Sequence, residues 1–167
     1  MKLVWTKSKS PISIVIRIIT GDDCSHFAFV FEKAAKGLMF HSNLLGTHPK
    51  FFQTAKKHFD IVHEKEAALP IELEDQLWDL IVEKYDGKPY DLGGVFYLGW
   101  RKILNRILKT PMPLKNKWAS AEAFFCDELY EIFNSVPGFP KVVEGGGMDT
   151  PHDVWEKLKD WEYGVAS

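Results

Sequence analysis

The residue in this chain best suited to covalent chemistry is a cysteine placed where a helix would open. In Phe124-Phe125-Cys126-Asp127-Glu128-Leu129-Tyr130-Glu131-Ile132-Phe133 an apolar lead-in ends at Cys126, and Asp127 and Glu128 put carboxylates in the first turn, where the helix dipole favours them. Leu129, Tyr130 and Phe133 follow at three, four and seven residues and share the helix face of Cys126. A thiol at such a position has a lowered pKa, because free backbone amides stabilise the thiolate, the nucleophilic form. A cysteine nucleophile also needs a base to take its proton and a third group to hold that base. His26 and His41 are the candidates. Plainer roles compete with these. Free cysteine is among the most buried residue types, and a histidine in a strand usually serves as a satisfied polar residue.

The elements that must bring these groups together are legible in outline. Ile12 to Ile19 is nearly continuous and β-branched, which predicts a strand, and Gly21-Asp22-Asp23 predicts a turn after it. Cys24 to Phe31 alternates at period two, with Cys24, His26, Ala28 and Val30 on one face and Ser25, Phe27, Phe29 and Phe31 on the other. Glu32 to Gly37 is polar, and Leu38-Met39-Phe40-His41 starts the returning strand. A hairpin with a two- or four-residue loop centred on Ala34-Ala35 sets His41 opposite Ala28. His41 then lies diagonally across from His26, at about 7–8 Å between α-carbons. A loop one residue longer or shorter would turn His41 to the other face.

Phe59 to His63 predicts a further short strand. Helices are predicted after Pro70, with the stripe Leu73, Leu77, Leu80, Ile81 and Tyr85, and again along Phe96, Trp100, Ile103, Leu104, Ile107 and Leu108. Pro111 and Pro113 stop the second of these. Thr150-Pro151-His152-Asp153 caps a last helix, with threonine at the N-cap and proline in the first turn. The sum is an α+β fold, an antiparallel sheet packed with helices, in a single domain spanning 1–167.

Bulk properties exclude several classes. The 167 residues are 46% hydrophobic and 26% charged, the profile of an ordinary globular protein. A net charge of −2 gives no electrostatic basis for binding nucleic acid. Two cysteines build no disulfide framework, and the six histidines show no short paired spacing of the kind metal ligands use, so neither a metal nor a cofactor is expected. No signal-peptide core opens the sequence, and the apolar run from Ile12 is too short to span a bilayer and contains Arg17, which points to a cytoplasmic protein.

Four segments carry a family resemblance. Gly21-Asp22-Asp23-Cys24-Ser25-His26-Phe27 resembles the D-x-S-H-hydrophobic strand of the circularly permuted NlpC-type papain-like hydrolases, the YiiX-like group. Gly87-Lys88-Pro89-Tyr90-Asp91 resembles that group's G-x-x-Y-D segment, Phe124 to Leu129 its F-x-C-S-E-L nucleophile segment, and Thr150-Pro151-His152-Asp153 its closing T-P-x-D. The histidine strand precedes the cysteine helix, as in the permuted branch. Asp127 stands where the family often has serine, and His41 where it often has a carboxylate.

The resemblance implies Cys126 as nucleophile, His26 as general base and His41 as the polar residue orienting it. It also implies an oxyanion donor at the Cys126 amide, and Tyr90 and Asp22 on the oxyanion or substrate side. The chemistry implied is thiolate attack on a carbonyl, giving a thioester that water hydrolyses or an acceptor takes. Cys24, close to His26 in sequence, is the rival thiol and reads as core or wall.

Three functions compete. One is a cysteine amidase or peptidase acting on peptidoglycan peptides or isopeptide bonds. Another is a lipid acyl hydrolase or acyltransferase of the same fold. For this one the basic-edged apolar helix from Phe96 to Lys109 offers a weak membrane-surface contact. The last is an inactive binding or structural module, such as a phage accessory protein, since fold does not imply function.

Overall fold

The computed structural model describes residues 1–43, 46–113, 117–118, 132 and 149–162. Cys126 and the rest of its predicted helix, Ile132 excepted, lie outside the described residues. Five strands, β1 (Lys2–Lys7), β2 (His26–Phe31), β3 (Leu38–Asn43), β4 (Gly46–Phe51) and β5 (Asp60–Glu66), form one antiparallel sheet in the order β4-β3-β2-β1-β5. Helices α1 (Pro11–Thr20), α2 (Phe52–Ala55), α3 (Ile71–Tyr85), α4 (Leu92–Leu108) and α5 (Pro151–Leu158) complete the described chain. The α+β class expected from the sequence is the class observed.

The predicted strand over Ile12 to Ile19 is instead helix α1. Ser10 accepts a hydrogen bond from the Ser13 amide, Pro11 occupies the first turn, and Gly21 closes the helix with φ 78° and an amide donated to the Arg17 carbonyl at 2.8 Å. Ile12, Val15, Ile16 and Ile19 recur at helical spacing, so tertiary packing overrides the weak β-branched preference for strands. The face they form packs on α4 so tightly that a Cβ on Gly99 would stand 2.9 Å from the Ile19 methyl. The sheet position left by this correction belongs to β1, which pairs with β2 on one side and β5 on the other.

Each face of the sheet has its own cluster. Trp5, Phe27, Phe29, Phe31 and Phe40 face α3 and α5 in the large core with Leu77, Ile81, Val154 and Leu158. Val4, Ala28, Val30 and Met39 form a smaller cluster on the other face with Ala55. Cys24 does not share the face of His26. It is fully buried in the large core, because regular β2 pairing begins only at His26. Pro49, which has no amide to donate, sits in β4, an edge strand.

The β2–β3 turn carries left-handed backbone at Lys36 (φ 48°) and Gly37 (φ 83°). It gives the pairs Phe29↔Phe40, Val30↔Met39 and Phe31↔Leu38, the register centred on Ala34-Ala35 that the sequence suggested, but with residues 32–37 in the loop rather than the two or four expected, because the Glu74 carboxylate holds the Lys33 and Ala34 amides out of the ladder. Glu74 of α3 fixes this turn from outside. Its carboxylate accepts the Lys33 amide at 2.9 Å, the Ala34 amide at 3.4 Å and the Met1 nitrogen at 3.0 Å, in a fully buried position. Burial works against the charged carboxylate, but the Lys33 amide, the Met1 nitrogen and the Ala34 amide outweigh it and hold the carboxyl below the ordinary range.

Glu74→Ala is expected to cost about 3 kcal/mol by chemical denaturation, because it strands buried donors. Since the folded pKa is depressed, the stability that Glu74 contributes is present above its unfolded value of about 4.3 and is lost as pH falls through the folded value. Glu74→Gln is therefore expected to flatten the acid limb of the stability curve.

Candidate functional site

β2 and β3 set two imidazoles side by side. Continuing the observed register by one residue puts His41 level with Ala28 and diagonal to His26, on the face that carries Val4, Ala28 and Met39. The rings meet edge to face, with centroids 5.7 Å apart and planes at 82°. His48 of β4 pairs directly with His41, its ring centroid 5.2 Å away, so three histidines run across three neighbouring strands.

The His26 and His41 rings border a cavity of about 310 Å³ between the sheet and α1. Ser13, Ser25, Asn43, Lys50 and Tyr90 contribute to its wall. Ser13 Oγ and Ser25 Oγ hydrogen bond at 2.6 Å, which ties α1 to the residue preceding His26. Tyr90 reaches the cavity because its segment is clamped at both ends. The Gly87 amide donates to Thr47 of β4 at 2.8 Å and the Thr47 amide to the Lys88 carbonyl at 2.9 Å. Asp91 caps α4 by accepting the Gly94 amide at 2.8 Å. Of the residues expected at the site, the structure thus brings together His26, His41 and Tyr90. Asp22 does not line the cavity; it belongs to the turn that follows α1.

Burial controls the protonation of the pair. It pushes the His26 imidazole down to about 4. His41, only 8% exposed, is pushed to about 3, by burial first and then by the fields of His26, His48 and Lys50. Nε2 of each ring is buried with no hydrogen-bond partner among the described residues. Two neutral imidazoles with open nitrogens beside a polar cavity are able to accept a proton from a group placed there. His41 contacts His26 through its ring and not through a hydrogen bond from its own Nε2.

Sequence reasoning missed His48, Lys50 and the Ser13–Ser25 pair. His48 follows His41 by seven residues, a spacing that could have marked the two as hairpin partners. It also missed a second group, Asp23, His63 and His152, whose ligand-type atoms all lie within 4.8 Å of one another. No local motif announces that group, because its members come from a turn, from β5 and from α5.

No protein-family model and no curated protein matches the sequence. A solved structure does. The crystal structure of metalloprotein YiiX from Escherichia coli O157:H7 is similar over 95% of this chain and 78% of that one, with a TM-score of 0.55 and 19% identity. The fold is YiiX-like. At that identity the likeness concerns the fold alone.

The half-buried His26 and the buried His41 make a pH-dependent contribution to stability. Their folded pKa values lie below the unfolded value of about 6.5, so stability is fully present above that pH and falls as the pH drops toward the folded values of about 4 and 3. In a Cys126→Ala background, where no thiolate can act as counter-charge, NMR titration is expected to find both rings neutral at pH 5. His41→Asn is expected to reduce the loss of stability between about pH 6.5 and pH 4 by on the order of 1 kcal/mol or more.

Proposed function

We propose that the protein is a thiol hydrolase that cleaves an amide or peptide bond, with Cys126 as nucleophile, His26 as general base and His41 as the residue that keeps His26 in place. The observation that carries this reading is the pair of neutral imidazoles, each with its Nε2 shielded from water, at the wall of a polar cavity reached from one side by Tyr90. The four-segment resemblance to permuted NlpC-type hydrolases and the YiiX-like fold support it. In the reaction, His26 takes the thiol proton, the thiolate attacks the carbonyl carbon, and the carbonyl electron pair moves to oxygen. Collapse expels the amine, which takes the proton back from His26. Water then attacks the thioester, loses a proton to His26, and releases the acid and the thiol.

A second reading, lipid acyl hydrolysis or transfer, has its own support. An apolar cleft between α1 and α4, lined by Val15, Ile19, Val95, Phe96 and Leu98, shares Ile12, Ile16, Ser25 and Tyr90 with the histidine cavity. Ile18 and Phe96, on the two helices that bound this cleft, stand 70% and 58% exposed. An acyl chain in that cleft would reach the catalytic pair along an apolar path.

Assays with peptide amides and with acyl esters of graded chain length separate the two readings. Under both, Cys126→Ala is expected to abolish turnover, and His26→Ala to lower kcat/KM by about 10²–10⁴. A kcat/KM that rises with acyl length and falls in Ile19→Asp favours the lipid substrate. Hydrolysis that survives in Cys126→Ala would overturn both.

A further inference from the structure

On the face of the sheet opposite the histidine cavity, a second constellation gathers three long-separated residues. Asp23 belongs to the turn between α1 and β2, His63 to β5 and His152 to the first turn of α5. His63 pairs across the sheet with Trp5, a member of the large core, whereas His26 pairs with Thr6 and faces the other way. The Asp23 carboxylate spans the two imidazoles. Oδ2 stands 3.0 Å from His63 Nε2 and Oδ1 stands 3.3 Å from His152 Nδ1. Both ring nitrogens are buried from water and stand at ion-pair distance from the one carboxylate. Three ligand-type groups with donor atoms within 4.8 Å of one another, two of those atoms desolvated, match donors arranged around a shared ion.

The surroundings hold the three ligands in place. The His63 ring stacks on Trp155 of α5 with centroids 4.4 Å apart and planes 3° from parallel. The helix start that carries His152 is set by a reciprocal capping box between Thr150 and Asp153, and Asp153 also takes Lys102 of α4 at 2.7 Å. Asp23 keeps one side open to solvent. Two imidazoles, one carboxylate and an open position form the ligand set of an accessible divalent site, with water completing the coordination.

We propose that Asp23, His63 and His152 bind one divalent transition-metal ion of the zinc class. The ion joins α5 to β5 and to the turn that leads into His26, and it uses none of the residues of the cavity on the other face. The proposal is therefore independent of the hydrolase reading.

The test uses metal-stripped full-length protein titrated with Zn²⁺ against a chromophoric chelator, and with Co²⁺ in the visible range. The expected result is one ion per chain, a raised thermal midpoint on binding, and a Co²⁺ spectrum without a thiolate charge-transfer band. His152→Ala and Asp23→Asn, both at partly exposed positions, are each expected to weaken Zn²⁺ binding at least tenfold while keeping the metal-free thermal midpoint. Cys126→Ser is expected to bind as tightly as wild type. The proposal is overturned if wild type takes up no stoichiometric Zn²⁺, if both ligand variants bind with unchanged affinity, or if a thiolate band appears and vanishes in Cys126→Ser.

Discussion

The register of one hairpin governs what this sheet can do. Because side chains alternate along a strand, a slip of one residue between β2 and β3 would move His41 into the aromatic core and leave His26 without a neighbour. The register is fixed where it is most vulnerable, at the turn, by a buried carboxylate from a helix remote in sequence. Glu74 binds the Lys33 and Ala34 amides directly. Phe29 and Phe40, paired across the same hairpin, make the alternative register costly from the other face. The polar contact and the apolar one specify the same alignment, which is the agreement between levels that defines a well-specified fold.

The sheet also keeps two kinds of chemistry apart. On one face, burial strips His26 and His41 of their charge and leaves them as neutral bases beside a cavity. On the other, a carboxylate stands between His63 and His152, in a region open enough to admit an ion. The turn from Gly21 to Ser25 belongs to both, since Asp23 serves one face while Ser25 and His26 serve the other. The same short stretch packs Cys24 into the core, so three successive side-chain environments are set by a few residues of irregular backbone. That density accounts for the buried Ser13–Ser25 hydrogen bond, which anchors the segment to α1.

Strong local signals were readable in the sequence and long-range ones were not. The α3 stripe and the Thr150 cap rest on interactions within a few residues, and both match the structure. The α4 helix forms where its spacing predicts, but Phe96, Trp100, Ile107 and Leu108 of the predicted stripe are exposed, and Tyr97, Leu98 and Gly99 are buried instead, Gly99 against α1. The Ile12 to Ile19 run does not match, because β-branched composition and helical spacing point in opposite directions and only packing against α4 decides between them. The diagonal approach of His26 and His41 was legible, and so was Tyr90 as a neighbour. Asp22 was assigned through a motif, but the cavity is lined by its neighbours Ser25 and His26 instead. The Asp23–His63–His152 group was invisible because three separate tertiary contacts create it.

The central claim is that the Cys126 thiol and the His26 imidazole form one activated pair, and the rate of iodoacetamide labelling of Cys126 against pH tests it most directly. In wild type the account predicts rapid labelling well below the ordinary thiol pKa of about 8.5, with the profile shifting up toward that value in His26→Ala. Slow labelling of Cys126 that follows an ordinary thiol titration and does not respond to His26→Ala would contradict it.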